Sequence, residues 1–162
     1  MMTPQQYELI GRLTIEFNEI DFSLEVYALY LVGAREFAMA ERLSTRQEYF
    51  TQKAQFLSDV LAAILQEYPD LSDLVDAMKK CVAQAKQVAG ERNRVVHGLL
   101  IHDIKRKRVL LRHKGVDYEQ DEQRLARLLT RLSQTNESLA ESFFPLHEAL
   151  ESKRNTAIAS SN

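Results

Sequence analysis

The 162-residue chain has one cysteine, Cys81, with five glycines and three prolines. A lone cysteine excludes an internal disulfide and a cysteine-based zinc site, and it fits a reducing compartment. So little glycine and proline argues against a turn-rich β fold and for long helices. No stretch approaches the ~20 consecutive apolar residues that a bilayer span requires. The opening Met1-Met2-Thr3-Pro4-Gln5-Gln6 has no basic segment leading into an apolar run, so no signal peptide is expected and a cytoplasmic location is. A dominant sign of charge is also missing. The formal net charge is -2, so no global field draws the protein to nucleic acid or membrane, and anion binding must come from a local cluster. The sequence offers no metal-ligand cluster, and no cofactor is expected.

What is present is material for a helical core. Hydrophobic residues make up 45% of the chain, too many for a disordered segment, and Leu, Ala, Glu, Gln, Lys and Arg are helix formers. Thr3-Pro4-Gln5-Gln6 carries a cap, a first-turn proline and a capping-box glutamine. Apolar residues follow at Tyr7, Ile10, Leu13, Phe17, Ile20, Leu24, Tyr27 and Leu31, in helical steps of three and four. This predicts a first helix from Pro4 to Val32, ending near Gly33. Further apolar residues at Ile15, Phe22, Val26 and Leu29 imply that it meets partners on two sides.

A short second helix is expected over 34–43. A third, capped by Ser44 or Thr45, carries Tyr49, Phe50, Phe56, Leu57, Val60, Leu61, Ile64 and Leu65 and stops before Pro69. A fourth opens at Asp70-Leu71-Ser72-Asp73 and runs to His97-Gly98, with Gly90 inside it as a weak point. Two β-prone runs, 99–104 and 109–113, flank Lys105-Arg106-Lys107-Arg108 and predict a hairpin over 99–114. A last helix is expected from about Tyr118, with Asp117 as cap and Pro145 as a kink or break, and the tail 155–162 as frayed. The expected fold is a single all-α domain over 1–162, an up-and-down bundle of four to five helices with a small β-hairpin before the last long one.

The segment with chemistry is Arg92-Asn93-Arg94-Val95-Val96-His97, at the close of the fourth helix. Asn93 and His97 are four apart and share a helical face, and Arg94 and His97 are three apart. Arg92 lies on a neighbouring face, with a side chain long enough to bend toward the same helix end. A guanidinium, an amide and an imidazole are thus expected near one surface point.

An arginine, a polar residue, three more residues and a histidine, late in a long helix of a small helical protein, resembles the HEPN superfamily. Arg92 and His97 match its Arg-x4-6-His signature, and Asn93 stands at the polar position that often follows the arginine. The resemblance implies an RNA-binding, metal-independent endoribonuclease acting as a homodimer, with motifs of two subunits in one cleft. It also suits a toxin, phage-defence or RNA-processing role, restrained by an antitoxin or a nucleotidyltransferase partner. In this reading His97 is the general acid or base, Arg92 the phosphate brace and Asn93 the orienting group, with Arg94 as the second cation. The chemistry is consistent: attack by a 2′-hydroxyl needs a group titrating near neutrality, and the charged phosphorane is braced by a guanidinium.

The basic strip Lys105, Arg106, Lys107, Arg108, Arg112 and Lys114 offers phosphate contacts beside that site. Both features also have structural explanations. Arginine and histidine at a helix C-terminus interact well with its dipole, and charges on a hairpin protect a sheet edge from aggregation. The competing function is therefore a non-catalytic dimeric helical binding or scaffold module, whose basic arm grips nucleic acid or an acidic protein. Cys81 is expected to be a core thiol, and the acids Glu19, Asp21 and Glu25 a wetted face, one of which could orient Arg92 or Arg94.

Overall fold

A computed structural model of the chain describes residues 2–33, 49–97, 99–103, 108–119 and 121–159. Four α-helices dominate them: α1, Pro4–Val32; α2, Phe50–Glu67; α3, Ser72–His97; and α4, Glu122–Ala159. A 3-10 turn, Pro69–Leu71, joins α2 to α3. Among the described residues, no helix is long and apolar enough to cross a membrane.

Helix α1 starts as its sequence dictates. The Thr3 hydroxyl accepts from the Gln6 amide at 3.1 Å, and the Gln6 side chain accepts from the Thr3 amide at 2.9 Å, which satisfies two orphan donors reciprocally. At the other end Gly33 has φ 98° and donates to the carbonyls of Leu29 and Tyr30. The Arg154 guanidinium of α4 adds hydrogen bonds to the carbonyls of Leu31 and Val32, at 2.6 and 3.3 Å. A Cβ at position 33 would stand 2.9 Å from that guanidinium, so glycine serves both the positive φ and the close approach.

Helix α2 begins at Phe50, with the Gln52 side chain accepting from the Tyr49 amide at 3.2 Å. The expected caps Ser44 and Thr45, and the expected short helix over 34–43, lie outside the described residues. Helix α3 begins at Ser72 rather than Asp70, because Pro69 to Leu71 close a 3-10 turn first. It continues unbroken through Gly90. Helix α4 likewise passes Pro145 without dividing and reaches Ala159, so residues 155–159, expected to fray, are helical and exposed.

Side-chain pairs fix the directions of the helices. Along α1 and α4, Thr3 bonds Glu122, Tyr27 stacks on Phe143 at 4.1 Å and Arg154 caps Leu31, so these two helices are parallel. Along α3 and α4, Glu91 meets Arg131 while Cys81 meets Ser138 and Ser142, so these two are antiparallel. Phe17 packs on Phe50 at 5.2 Å, while Asp21 and Glu25 bind Lys53, which makes α2 parallel to α1. Among the described helices, α1, α2 and α4 share one direction and α3 opposes them; the helix expected over 34–43, which the up-and-down order places between α1 and α2, lies outside the described residues.

The core lies where the four stripes meet. Leu13, Ile20, Leu24 and Leu31 of α1, Leu57 and Leu61 of α2, Met78 of α3, and Leu125, Leu132, Leu139 and Leu146 of α4 are fully buried. Cys81 is buried there too, with Sγ 3.1 Å from the Ser142 hydroxyl, as its place in the stripe predicts.

Between α3 and α4 the backbone forms three short antiparallel strands, β1, Leu99–Asp103; β2, Arg108–His113; and β3, Val116–Glu119, in the order β1-β2-β3. Leu99 pairs with Arg112, and His113 with Val116. The expected two-stranded hairpin is thus a three-stranded meander. Lys114 and Gly115, with φ of 51° and 80°, make the second turn, in the left-handed region that tight hairpin turns require. Tyr118, expected to begin the last helix, lies in β3. The helix starts at Glu122 instead, where Asp121 accepts from the Arg124 amide at 2.6 Å, the N-cap bond that the sequence assigns to Asp117.

Core and outer face should respond differently to truncation. Leu139→Ala, at a fully buried site, is expected to cost about 2–5 kcal/mol in urea denaturation. Glu8→Ala on α1, at an exposed residue, should stay within about 0.5 kcal/mol.

Candidate functional site

Helix α3 carries its buried stripe through Val75, Met78, Val82, Ala85, Val88, Ala89, Arg92 and Val95. Arg92 thus occupies a position that the helical period reserves for an apolar residue. It is 9% exposed, and its guanidinium carbon lies 4.4 Å from the centre of the Phe17 ring of α1. A guanidinium over an aromatic face is held by the ring's negative quadrupole while its stem packs like an apolar chain. Its Nη1 donates to the Asn93 side-chain oxygen at 3.1 Å. Its Nε is buried with no hydrogen-bond partner. Burial pulls the Arg92 pKa below the ordinary arginine value, against an opposing pull from the Asp21 carboxylate; an arginine shifted this way still keeps its proton.

His97 faces the other way. Five residues turn a helix through about 140°, so a buried Arg92 leaves His97 outward, and His97 is exposed. Asn93 and Arg94, both half-buried, lie about 40° and 60° from His97 around the helix. The Arg94 Nε donates to the Gly90 carbonyl at 3.3 Å, which lays its stem along the helix. The group brought together at the surface is therefore His97, Asn93 and Arg94. Arg92 is adjacent in sequence but buried against Phe17, and its guanidinium meets the surface group through the Asn93 side chain.

The acids of α1 are also placed. Asp21 and Glu25 accept from Lys53 of α2 at 2.6 and 3.1 Å. Burial alone would lower the Lys53 pKa, but the hydrogen bonds to Asp21 and Glu25, with their charge, outweigh it and raise it. Glu19 accepts from Asn136 of α4 at 3.2 Å. Of the three acids, Asp21 is the one whose field reaches Arg92.

Of the basic strip, Lys105, Arg106 and Lys107 lie outside the described residues. Arg108 and Arg112 belong to β2, and Arg112 and Lys114 are exposed. Strand β2 contacts α3, so the meander sits against the helix that carries the motif. Arg124, Arg127 and Arg131 of α4 are not among the residues singled out from sequence. Their spacing of three and then four, on one helical face, was the available signal. Arg131 donates to both carboxylate oxygens of Glu91 at 2.7 Å, one turn before Arg94 and Val95.

Two measurements check this geometry. Arg92→Met keeps the packed stem and removes an unpartnered buried donor, so its stability should remain within about 1 kcal/mol of wild type; Arg92→Ala should lose about 2–5 kcal/mol. An alanine variant as stable as wild type would show that Arg92 does not hold α3 to α1. The raised Lys53 pKa sets a pH window. The pair contributes its full stability below pH 10.5, the unperturbed lysine value, and that contribution disappears as pH rises through the higher folded value. Urea midpoints should therefore fall above pH 10.5, and fall less in Lys53→Met. Parallel alkaline declines would remove Lys53 from the account.

No family model, curated protein sequence or solved structure matches the chain.

Proposed function

We propose that the chain is a HEPN-like RNA-binding protein acting as a metal-independent endoribonuclease, with His97 moving the proton and Arg94, in place of Arg92, bracing the phosphate. The observation that carries this reading is the exposed imidazole of His97 on the same face of α3 as Asn93 and Arg94. In the reaction, His97 takes the proton of a 2′-hydroxyl, the freed oxygen attacks the adjacent phosphorus, and the 5′-oxygen leaves with a proton from water, giving a cyclic phosphate and a free 5′-hydroxyl while the imidazolium returns its proton to solvent. An imidazole is the side chain best suited to carry this proton. A guanidinium beside it binds the phosphorane oxygens more strongly as their charge grows. Arg92 becomes a positioning residue, because its hydrogen bond to Asn93 and its seat on Phe17 fix the rotation of the turn that ends in His97.

The homodimer of the resemblance has apolar surface to draw on: Tyr7, Ile15 and Phe22 of α1 are exposed at 61%, 61% and 66%. The toxin, phage-defence or RNA-processing setting, and an antitoxin or nucleotidyltransferase partner, rest on the resemblance alone.

One observation favours a second reading, a non-catalytic dimeric binding or scaffold module. The first residue of the motif has a structural task, anchoring α3 on α1, and a helix end so anchored can simply carry the meander.

Labelled RNA incubated in excess chelator separates the two. Wild type should cleave it. His97→Ala should lose about 10²–10⁴-fold in rate and Arg94→Ala about 10²–10³-fold, with folding unchanged by circular dichroism. Equal cleavage by all three proteins would remove His97 and Arg94 from the chemistry, and none by any would favour the scaffold reading.

A further inference from the structure

We propose that the seam between α3 and α4 is a phosphate-binding trough that takes the sugar-phosphate backbone of a single RNA strand and leads it to the His97 face. The proposal rests on the RNA reading above for its ligand, but the observations behind it are separate.

Two hollows run along this seam. One, of about 180 Å³, is lined by Glu91 and Val95 of α3 and by Arg124, Arg127, Leu128 and Arg131 of α4. The other, of about 490 Å³, continues from Arg131 past Gln84, Gln87 and Gln134 to Ser138. Arg131 lines both, so the hollows adjoin at its side chain, and we take the two together as one trough.

Its chemistry is one-sided. In the first hollow three guanidiniums stand against one carboxylate, Glu91. That carboxylate grips Arg131 with both oxygens and so holds this guanidinium in a set direction between the hollows. In the second hollow the lining turns to amides and hydroxyls, which donate to phosphate and sugar oxygens without sequence preference. Among the described residues, no aromatic side chain lines either hollow, which fits a surface that follows the backbone rather than stacking bases.

The spacing suits a repeating anion. Arg124, Arg127 and Arg131 rise about 10.5 Å along one face of α4, so their guanidiniums are spread along the trough rather than gathered on one anion. Because α3 and α4 are antiparallel, the arginine-rich end of the trough lies beside the last turns of α3. Arg94 lies about 60° around α3 from Glu91, in the direction of His97. A strand lying in the trough would meet Arg94 and His97 as it leaves.

The test measures binding of a labelled oligouridylate as a function of salt, in a His97→Ala background so that the strand stays intact. Removing one phosphate-binding side chain should lower the slope of log affinity against log salt by about 0.7. Arg124→Ala with Arg127→Ala should therefore flatten it by about 1.4. Lys79→Ala with Lys153→Ala, which removes as much charge elsewhere on α3 and α4, should leave the slope in place. An unchanged slope in the arginine pair, with oligouridylate still bound, would overturn the trough and spare the RNA reading. If oligouridylate does not bind at all, the RNA reading falls. The trough is then judged by titrating the full chain with inorganic pyrophosphate and following the arginine Nε–H resonances. Shifts at Arg124 and Arg127 support it, and their absence overturns it.

Discussion

The seat of the Arg92 guanidinium on the Phe17 ring sets the rotation of the last turns of α3. A helix is stiff about its own axis, so directing one residue inward directs its neighbours by fixed angles. With Arg92 inside, Val88 and Val95 are buried beside it and His97 is turned to solvent, with Asn93 and Arg94 at its sides. The arrangement of charge follows from the same rotation. Glu91 falls toward α4 and meets Arg131, which opens the seam between the two helices to arginines from α4. A buried cation is costly unless it is compensated, and here the aromatic face, the Asn93 oxygen and the field of Asp21 share that task.

This anchoring works because the bundle around it is long and unevenly directed. Helices α1 and α4 run side by side from the Thr3–Glu122 contact to the Arg154 cap of α1. Helix α3 opposes both, so its C-terminal end lies near the N-terminal turns of α4. The parallel run of α1 and α2 brings Phe50 to the middle of α1, beside Phe17, the ring on which Arg92 sits. One aromatic ring therefore contacts both α2 and the motif of α3. The motif's environment is built from three helices.

Much of the fold is legible in particular residues. Thr3, Pro4 and Gln6 mark the start of α1, Gly33 its end, and Pro69 the end of α2, because each has a local backbone consequence that no distant contact needs to supply. The leucine stripes of α1 and α4 and the burial of Cys81 follow from period alone. The turn at Lys114-Gly115 is harder to read, since lysine is not a residue whose presence announces a positive φ, and without that turn the β3 segment reads as the start of a helix. Pro145 and Gly90 warn of breaks that do not occur. Packing along the whole length of a helix offsets the local cost of one unfavourable residue.

The sequence by itself determined the helices, their buried faces and the presence of a histidine and two arginines in the closing turns of α3. It could do so because caps and periodicity are properties of neighbours along the chain. Only the tertiary structure decided which arginine accompanies His97, that Phe50 of α2 meets Phe17 of α1, and that three arginines of α4 gather against Glu91. Those outcomes depend on which ring, carboxylate or helix lies across the core, and contacts between distant segments leave no periodic trace in either one.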